Sequence, residues 1–143
     1  IRDRSSVIAE KIGELGDFDT AVATLKYTDG KLVVIKNSRR AAYGYDQRIE
    51  ILGSKGLLQV QNVVEDGIIK STEMGVQSSK PEYFFLERYK VAYQEEWAAF
   101  VSAVKMKEPV PISLADGIAA LAIAEAAAVS AETGSEVKLA SFL

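Results

Sequence analysis

The sequence predicts an α+β fold, with an open, mostly antiparallel β-sheet and two helices packed on one of its faces. Two observations support this prediction. In the first half of the 143-residue chain, apolar residues alternate with polar ones in short runs that are separated by glycine-containing turns. In the last third, the apolar spacing changes to that of helices. Strands followed by helices, in runs rather than in alternation, are typical of α+β domains.

The first strands are predicted between the N-terminus and residue 37. Ser6–Leu15 is a mixed extended segment. Phe18–Tyr27 alternates and places four apolar side chains on one face: Ala21, Ala23, Leu25 and Tyr27. Asp29-Gly30 is typical of a two-residue hairpin turn, because both central positions favour a positive φ. The return strand is predicted over Lys31–Asn37.

Further strands and turns continue to residue 72. Gln47–Leu52 and Leu57–Gln61 flank the glycine-bounded turn Gly53–Gly56 and form a second predicted hairpin. A short strand is expected around Ile68–Thr72. The segment Met74–Glu82 has Gly, Ser and Pro without periodicity, which makes it a candidate linker. Successive strands joined by tight turns indicate antiparallel pairing with one buried face.

Two helices and a final strand are predicted after the linker. A helix over Arg88–Lys107 carries one apolar stripe formed by Tyr93, Trp97, Phe100, Val101 and Val104. Ser113 is a good N-cap for the second helix, with Asp116 three residues later. That helix is expected to stop at Gly134. Glu136–Leu139 is the candidate for a last short strand.

Composition excludes several classes of function. Apolar residues make up 48% of the chain and charged residues 26%, which is ordinary for a soluble globular protein. The net charge of −3 does not favour binding to nucleic acid or to an anionic membrane. With no Cys and no His, disulfides, zinc fingers, thiol nucleophiles and the usual imidazole base are excluded. We expect no metal site and a cytoplasmic protein. The longest apolar stretch, Ile118–Ala131, is interrupted by Glu125 and is predicted not to span a membrane.

The segment Asn37–Arg48, read NSRRAAYGYDQR, joins two predicted strands and holds unusual side chains for a connection. Tyrosine donates or accepts hydrogen bonds, aspartate accepts them, and arginine offers a fixed fork of donors. Binding residues are over-represented on such loops. The candidate ligand-binding residues are Tyr43, Tyr45, Asp46, Arg39 and Arg40. The alternative is a solvated loop with charge pairing.

Three segments together resemble one enzyme family. They are the hairpin Phe18–Asn37, the strand–G-x-x-G–strand Ile49–Leu58 and the Pro-rich helix entry Pro109–Ala119. All three resemble the C-terminal domain of the Gfo/Idh/MocA oxidoreductase family, which includes glucose–fructose oxidoreductase and inositol 2-dehydrogenase. The Tyr-Gly-Tyr-Asp sequence at Tyr43–Asp46 narrows the resemblance to the inositol 2-dehydrogenase group.

The resemblance implies a substrate-binding and oligomerisation domain over residues 1–143, without the family's N-terminal Rossmann domain. The full-length protein would bind NAD or NADP and transfer a hydride from a ring CH–OH to the nicotinamide. The family's catalytic Lys, Asp and His lie outside this chain, so no catalytic residue is expected here. Neither cofactor is expected to bind this chain alone. The implied partners are a polyol or sugar substrate and further copies of the chain, joined through the sheet face.

The resemblance also implies roles for the loop residues. Tyr43 and Tyr45 would contact substrate hydroxyls, and Asp46 would accept from a polyol hydroxyl or orient a tyrosine. Arg39 and Arg40 would lie near the cofactor or in surface ion pairs. Two alternatives stay open, because a fold does not fix a function. They are a non-catalytic sugar or dinucleotide sensor and a self-standing interaction module.

Overall fold

The computed structural model describes residues 2–3 and 13–143. The chain divides into two compact units. The first unit combines Ile1–Arg40 with Val110–Leu143, and the second unit is the intervening Ala41–Pro109. The predicted extended segment Ser6–Leu15 lies mostly outside the described residues. Within its described part, residues 13 and 14 are helical.

The described structure contains seven strands and three helices, besides the helical residues 13 and 14 and a short 3₁₀ helix. The strands are β1 Arg2–Asp3, β2 Thr20–Lys26, β3 Leu32–Ser38, β4 Ile49–Gly53, β5 Gly56–Val60, β6 Ile69–Thr72 and β7 Gly75–Ser78. The helices are α1 Phe85–Arg88, α2 Lys90–Met106 and α3 Leu114–Thr133. All strand pairs are antiparallel, in a three-stranded sheet β1-β2-β3 and two hairpins, β4-β5 and β6-β7. The α+β class and the antiparallel pairing are confirmed.

The sheet of the first unit has two unequal faces, which its register defines. Ala23 pairs with Ile35 and Leu25 with Val33, so these four side chains share the less exposed face. Val22, by contrast, pairs with Lys36 on the opposite face. The alternation predicted for Phe18–Tyr27 is therefore confirmed.

The more exposed face of this sheet, the outer face, mixes polar and apolar side chains. Its apolar members are Val22, Leu32 and Val34, which are all exposed. Val22 does not share a face with Val33 and Ile35, because the cross-strand pairs fix which side chains lie on the same face.

The β2–β3 connection differs from the predicted two-residue turn. The Tyr27 N–H donates to the Lys31 carbonyl at 2.9 Å and the Gly30 N–H donates to the Tyr27 carbonyl at 3.0 Å. The loop therefore has three residues, with Gly30 at φ 87°. Asp29 keeps a negative φ and instead accepts from the Lys31 N–H at 3.2 Å. A three-residue loop ending in a left-handed glycine also suits the twist of a hairpin.

Helix α3 begins and ends where the sequence predicts. The Ser113 hydroxyl oxygen accepts from the Asp116 N–H, and the Asp116 carboxylate accepts from the Ser113 N–H at 2.8 Å, which completes a capping box. Gly134 ends the helix at φ 68°, a conformation that costs glycine little. Small buried side chains, Ala122 and Ala126, mark its packed side.

By length and composition alone, Leu114–Thr133 meets the criteria for a membrane-crossing helix among the described residues. This helix is longer than the apolar stretch Ile118–Ala131 considered from the sequence. Core helices of soluble proteins meet the same criteria. The absence of a membrane partner stays a prediction.

Two further sequence predictions were wrong. Met74–Glu82 is not a linker throughout, because Gly75–Ser78 forms β7 and pairs with β6. Four residues are too few for an alternating pattern to stand out. The predicted last strand, Glu136–Leu139, is also absent, and Leu139–Ser141 forms a short 3₁₀ helix instead.

Helices α1 and α2 follow the two hairpins in the second unit. The predicted helix over Arg88–Lys107 is confirmed as α2, which ends at Lys107 in the left-handed conformation with φ 57°. Ala103 is its buried residue, whereas Trp97 is 68% exposed. The apolar stripe that includes Trp97 is therefore largely exposed in the described structure.

Candidate functional site

Asp46 is the most heavily hydrogen-bonded side chain of the tyrosine loop, by which we mean Ala41–Arg48. The Arg48 guanidinium donates to both carboxylate oxygens at 2.7 Å. The Asn62 amide donates to Oδ1 at 2.8 Å, and the Tyr43 hydroxyl donates to Oδ2. A carboxylate has about four acceptor positions. Asp46 thus fills its hydrogen-bonding capacity with partners from its own chain.

These contacts fix the protonation states around Asp46. Hydrogen bonds from Arg48, then Tyr43 and Asn62, hold the pKa of Asp46 well below its usual range. The hydrogen bond to Asp46 in turn raises the pKa of the Tyr43 phenol. At neutral pH the pair is a carboxylate and a neutral phenol. The Tyr43 hydroxyl donates its one hydrogen bond to Asp46. It is therefore left to accept, and not to donate, a hydrogen bond from a ligand.

Gly44 allows the tyrosine loop to approach the chain at Pro81 closely. It is buried, with φ 133°, and a Cβ built on it would lie 2.6 Å from the Pro81 carbonyl oxygen. The neighbouring Tyr45 N–H donates to the Glu82 carbonyl at 2.7 Å. The Pro81 strand segment is itself bridged to Val64. Only glycine fits this position. The backbone that carries Tyr43 and Tyr45 is therefore fixed by the close approach of Gly44 to Pro81 and by the hydrogen bond to Glu82.

Tyr45 is half-buried and meets a second tyrosine from the start of α2. The Tyr45 hydroxyl lies 3.4 Å from the Tyr89 hydroxyl, and the two rings pack edge to face with centroids 5.5 Å apart. The contact with Tyr89, then burial, raises the pKa of the Tyr45 phenol. The Tyr45 hydroxyl therefore stays protonated at neutral pH. The two hydroxyls can donate and accept hydrogen bonds.

Arg39 and Arg40 belong to the first unit and not to the tyrosine loop. Arg39 forms an ion pair with Asp17 and donates from Nε to the Phe18 carbonyl at 3.2 Å. Its side chain is 52% exposed. Within the described residues, the Arg40 side chain has no ion pair or hydrogen bond, although its backbone bonds to Ser38. The structure thus brings together Tyr43 and Asp46 in one cluster and assigns Arg39 to a surface ion pair.

Besides Arg48, which binds Asp46 from two residues away, sequence reasoning missed three residues of the site that lie outside the tyrosine loop. Asn62 lies 16 residues from Asp46 along the chain and Tyr89 lies 44 residues from Tyr45. The Arg88 guanidinium lies 5.7 Å from the centre of the Tyr89 ring. No local pattern marks any of them, because their partners are set by how the second unit folds.

Comparison with known proteins identifies the family. Residues 3–139 match the sequence profile of a family described as "Oxidoreductase family, C-terminal alpha/beta domain". This match covers nearly the whole chain. The chain belongs to the Gfo/Idh/MocA oxidoreductase family. The resemblance seen in the hairpin, the G-x-x-G turn and the Tyr-Gly-Tyr-Asp segment is confirmed.

Individual relatives agree with the family assignment. A myo-inositol 2-dehydrogenase of Thermotoga maritima is 48% identical over 96% of this chain and 41% of its own length. A solved structure from Thermotoga maritima, 46% identical, covers 100% of this chain and 43% of that chain with a TM-score of 0.92.

A ligand-bound relative is also similar. The structure of a scyllo-inositol dehydrogenase from Lactobacillus casei, with bound NAD(H) and scyllo-inositol, is 29% identical and has a TM-score of 0.76. It matches over 96% of this chain and 40% of that chain. The chain therefore spans about two fifths of the length of these relatives.

Proposed function

We propose that this chain is the substrate-side domain of an NAD(P)-dependent oxidoreductase that acts on inositol or a related polyol or sugar. The observation that carries the proposal is the Tyr45–Tyr89 hydroxyl pair, 3.4 Å apart, on a loop fixed through Gly44. Two neighbouring phenols complement adjacent hydroxyls of a polyol, because each can donate to or accept from one of them. The names of the inositol-handling relatives favour the same class of substrate.

The chain's own part in this function is binding and orientation. Tyr43 would accept from a ligand hydroxyl, while Asp46 keeps the phenol oriented. Neither group is poised to remove a proton, since the pKa of Asp46 is lowered and the pKa of Tyr43 is raised. The sequence has no G-x-G-x-x-G segment after a strand, so its residues do not fit the pyrophosphate of a dinucleotide. In this proposal the cofactor and the proton-transfer groups belong to the part of the protein outside this chain.

The test is a pair of substitutions in the full-length protein, assayed by NADH formation with a panel of inositols and sugars. Tyr45→Phe keeps the ring contact with Tyr89 and removes one hydroxyl. We expect kcat/KM for the polyol to fall by roughly three- to hundred-fold, at about 0.5–1.5 kcal/mol per neutral hydrogen bond and more where a partner is left unpaired. Tyr89→Phe should act in the same direction, with less than additive losses in the double variant because the two hydroxyls are in contact.

Tyr27→Phe is the matched control, because Tyr27 is an exposed tyrosine of the first unit. It should leave the kinetics unchanged, and cofactor affinity should stay constant in every variant. Wild-type kcat/KM in a folded Tyr45→Phe protein would remove this tyrosine from the site. Polyol binding without turnover by the wild-type protein would instead favour a sugar sensor.

We also propose that copies of the chain associate through the outer face of the β1-β2-β3 sheet. Exposed apolar side chains on that face, Val22, Leu32 and Val34, favour burial against a like surface. Val34→Glu should shift the sedimentation distribution towards monomer. Val76→Glu introduces the same change at another exposed strand valine and should leave the distribution unchanged. A wild-type protein that sediments as a monomer at high concentration would contradict the proposal.

A further inference from the structure

Asn62 links two parts of the tyrosine loop with its one amide group. Its Oδ1 accepts from the Gln47 N–H at 2.7 Å, and its Nδ2 donates to Asp46 Oδ1 at 2.8 Å. Asn62 lies just after β5, and Gln47 lies just before β4. Since β4 and β5 pair along their whole length, the amide is presented to the loop by a hydrogen-bonded hairpin.

Asp46, which accepts a hydrogen bond from Asn62, is in turn connected to the two tyrosines that we propose contact the ligand. Asp46 binds the Tyr43 hydroxyl and thereby sets that hydroxyl as an acceptor. The backbone between Tyr43 and Asp46 contains Gly44 and Tyr45, and the Tyr45 N–H is tied to the Glu82 carbonyl. A shift of Asp46 therefore moves both tyrosines, since one is bonded to its carboxylate and the other precedes it directly.

We infer that Asn62 is a positioning residue of the tyrosine loop, which acts through Asp46 and the Gln47 backbone to hold Tyr43 and Tyr45 in place for a polyol. This inference rests on the proposed function for its kinetic consequence, but not for its structural one. An asparagine suits the task because it accepts and donates at once. The donor side matters most, because Asp46 is partly buried and loss of the Asn62 amide would leave Oδ1 with Arg48 as its one remaining donor among the described residues.

The first measurement needs no activity. Amide hydrogen exchange in the full-length protein should show Tyr45 and Gln47 protected in the wild type. In Asn62→Ala, exchange at Gln47 should rise because its acceptor is lost. Exchange at Tyr45, which Asn62 does not touch, should also rise by roughly ten-fold if the loop moves as a unit. Unchanged protection at Tyr45 would overturn the inference whatever the kinetics.

The second measurement separates positioning from general loss of structure. Asn62→Asp keeps an acceptor for the Gln47 N–H but places a second carboxylate beside Asp46 at neutral pH. When the two carboxylates share a proton at lower pH, the lost donor is restored. The other titratable or charged groups in contact with Asp46 are Arg48 and Tyr43. The ratio of variant to wild-type kcat/KM for the polyol should therefore rise as pH falls from about 8 to about 5.

In Asn62→Ala we expect the polyol KM to rise by roughly three- to hundred-fold at every pH, with the cofactor KM unchanged. Gln61→Ala is the control, because it removes a neighbouring side-chain amide that is exposed. A pH-independent loss in Asn62→Asp, or an unchanged polyol KM in Asn62→Ala, would overturn the inference. A wild-type protein without activity on any polyol would refute the proposed function alone, and the exchange result would still decide the role of Asn62.

Discussion

Two carboxylate–arginine pairs involve arginines of the segment Asn37–Arg48, and they differ in what surrounds them. Asp17 and Arg39 are both about half exposed, at 53% and 52%. Asp46 is 17% exposed beside Arg48 at 55%, and it also binds Tyr43 and Asn62. The Asp17 carboxylate has the Phe18 N–H as its other donor, at 2.8 Å.

The difference shows that the number of converging donors, and not the presence of an ion pair, separates an organising carboxylate from a surface one. An exposed pair contributes little, because water and salt screen it. Asp46 instead joins a loop, a strand end and a phenol into one unit. In the sequence, Arg48 follows Asp46 by two residues, whereas Arg39 follows Asp17 by 22 residues.

The largest effect is expected where the tyrosine loop approaches Pro81. Gly44→Ala should lower the free energy of unfolding by more than about 3 kcal/mol, because a strained φ and a 2.6 Å contact act together. Gly75→Ala is the matched control, with φ 124° and open space around the new Cβ. It should cost about 1–2 kcal/mol. Equal losses in urea unfolding would mean that the loop yields at Pro81.

A smaller effect, dependent on pH, is expected from Asp46→Asn. The pKa of Asp46 is lowered on folding, so its contribution to stability is present above the unfolded value and is lost as pH falls through the folded value. The wild-type advantage over Asp46→Asn should thus be largest near neutral pH and shrink below about pH 4. Urea unfolding at several pH values measures it. A difference that stays constant with pH would contradict the hydrogen-bonded carboxylate.

The smallest effect is expected at the surface pair. The Phe18 N–H, then Arg39, lower the pKa of Asp17, so Asp17→Asn should reduce stability in the same direction as Asp46→Asn. Because both side chains are half exposed, the reduction should be slight and should fade in about 1 M salt. The effect of Asp46→Asn should persist at that salt concentration. If both variants respond to salt alike, the contrast between the two pairs is wrong.

Local signals explain what the sequence predicted correctly. Ser113 and Asp116 cap α3 within one turn, and Gly134 ends it, so three nearby residues contain the whole signal. The Tyr-Gly-Tyr-Asp segment likewise narrowed the family resemblance, which the comparisons with known proteins confirm. The β2–β3 loop length was missed because Asp-Gly occurs both in two-residue turns and in three-residue loops. Only the cross-strand hydrogen bonds of Tyr27 distinguish them.

Long-range contacts explain what the sequence did not predict. In the sequence, Asn62 is an ordinary polar residue after a strand. Its role depends on the hydrogen bonds of its amide to Asp46 and Gln47, which only the structure shows. Tyr89 stands before α2 with no pattern that couples it to Tyr45. Arg39 pairs with Asp17 and donates to the Phe18 carbonyl, contacts that span 22 and 21 residues and that no local pattern marks. Its place near the cofactor or the substrate stays a prediction.

The division of the chain into two units has a consequence for synthesis on the ribosome. The chain leaves the first unit after Arg40 and returns to it at Val110, with the whole second unit inserted between. Translation proceeds from the N-terminus at about 5–20 residues per second. The inserted unit is therefore fully synthesised before α3, the main helix of the unit that encloses it, begins to emerge. The order of emergence lets the tyrosine loop and Asn62 assemble before the last helix of the first unit has been synthesised.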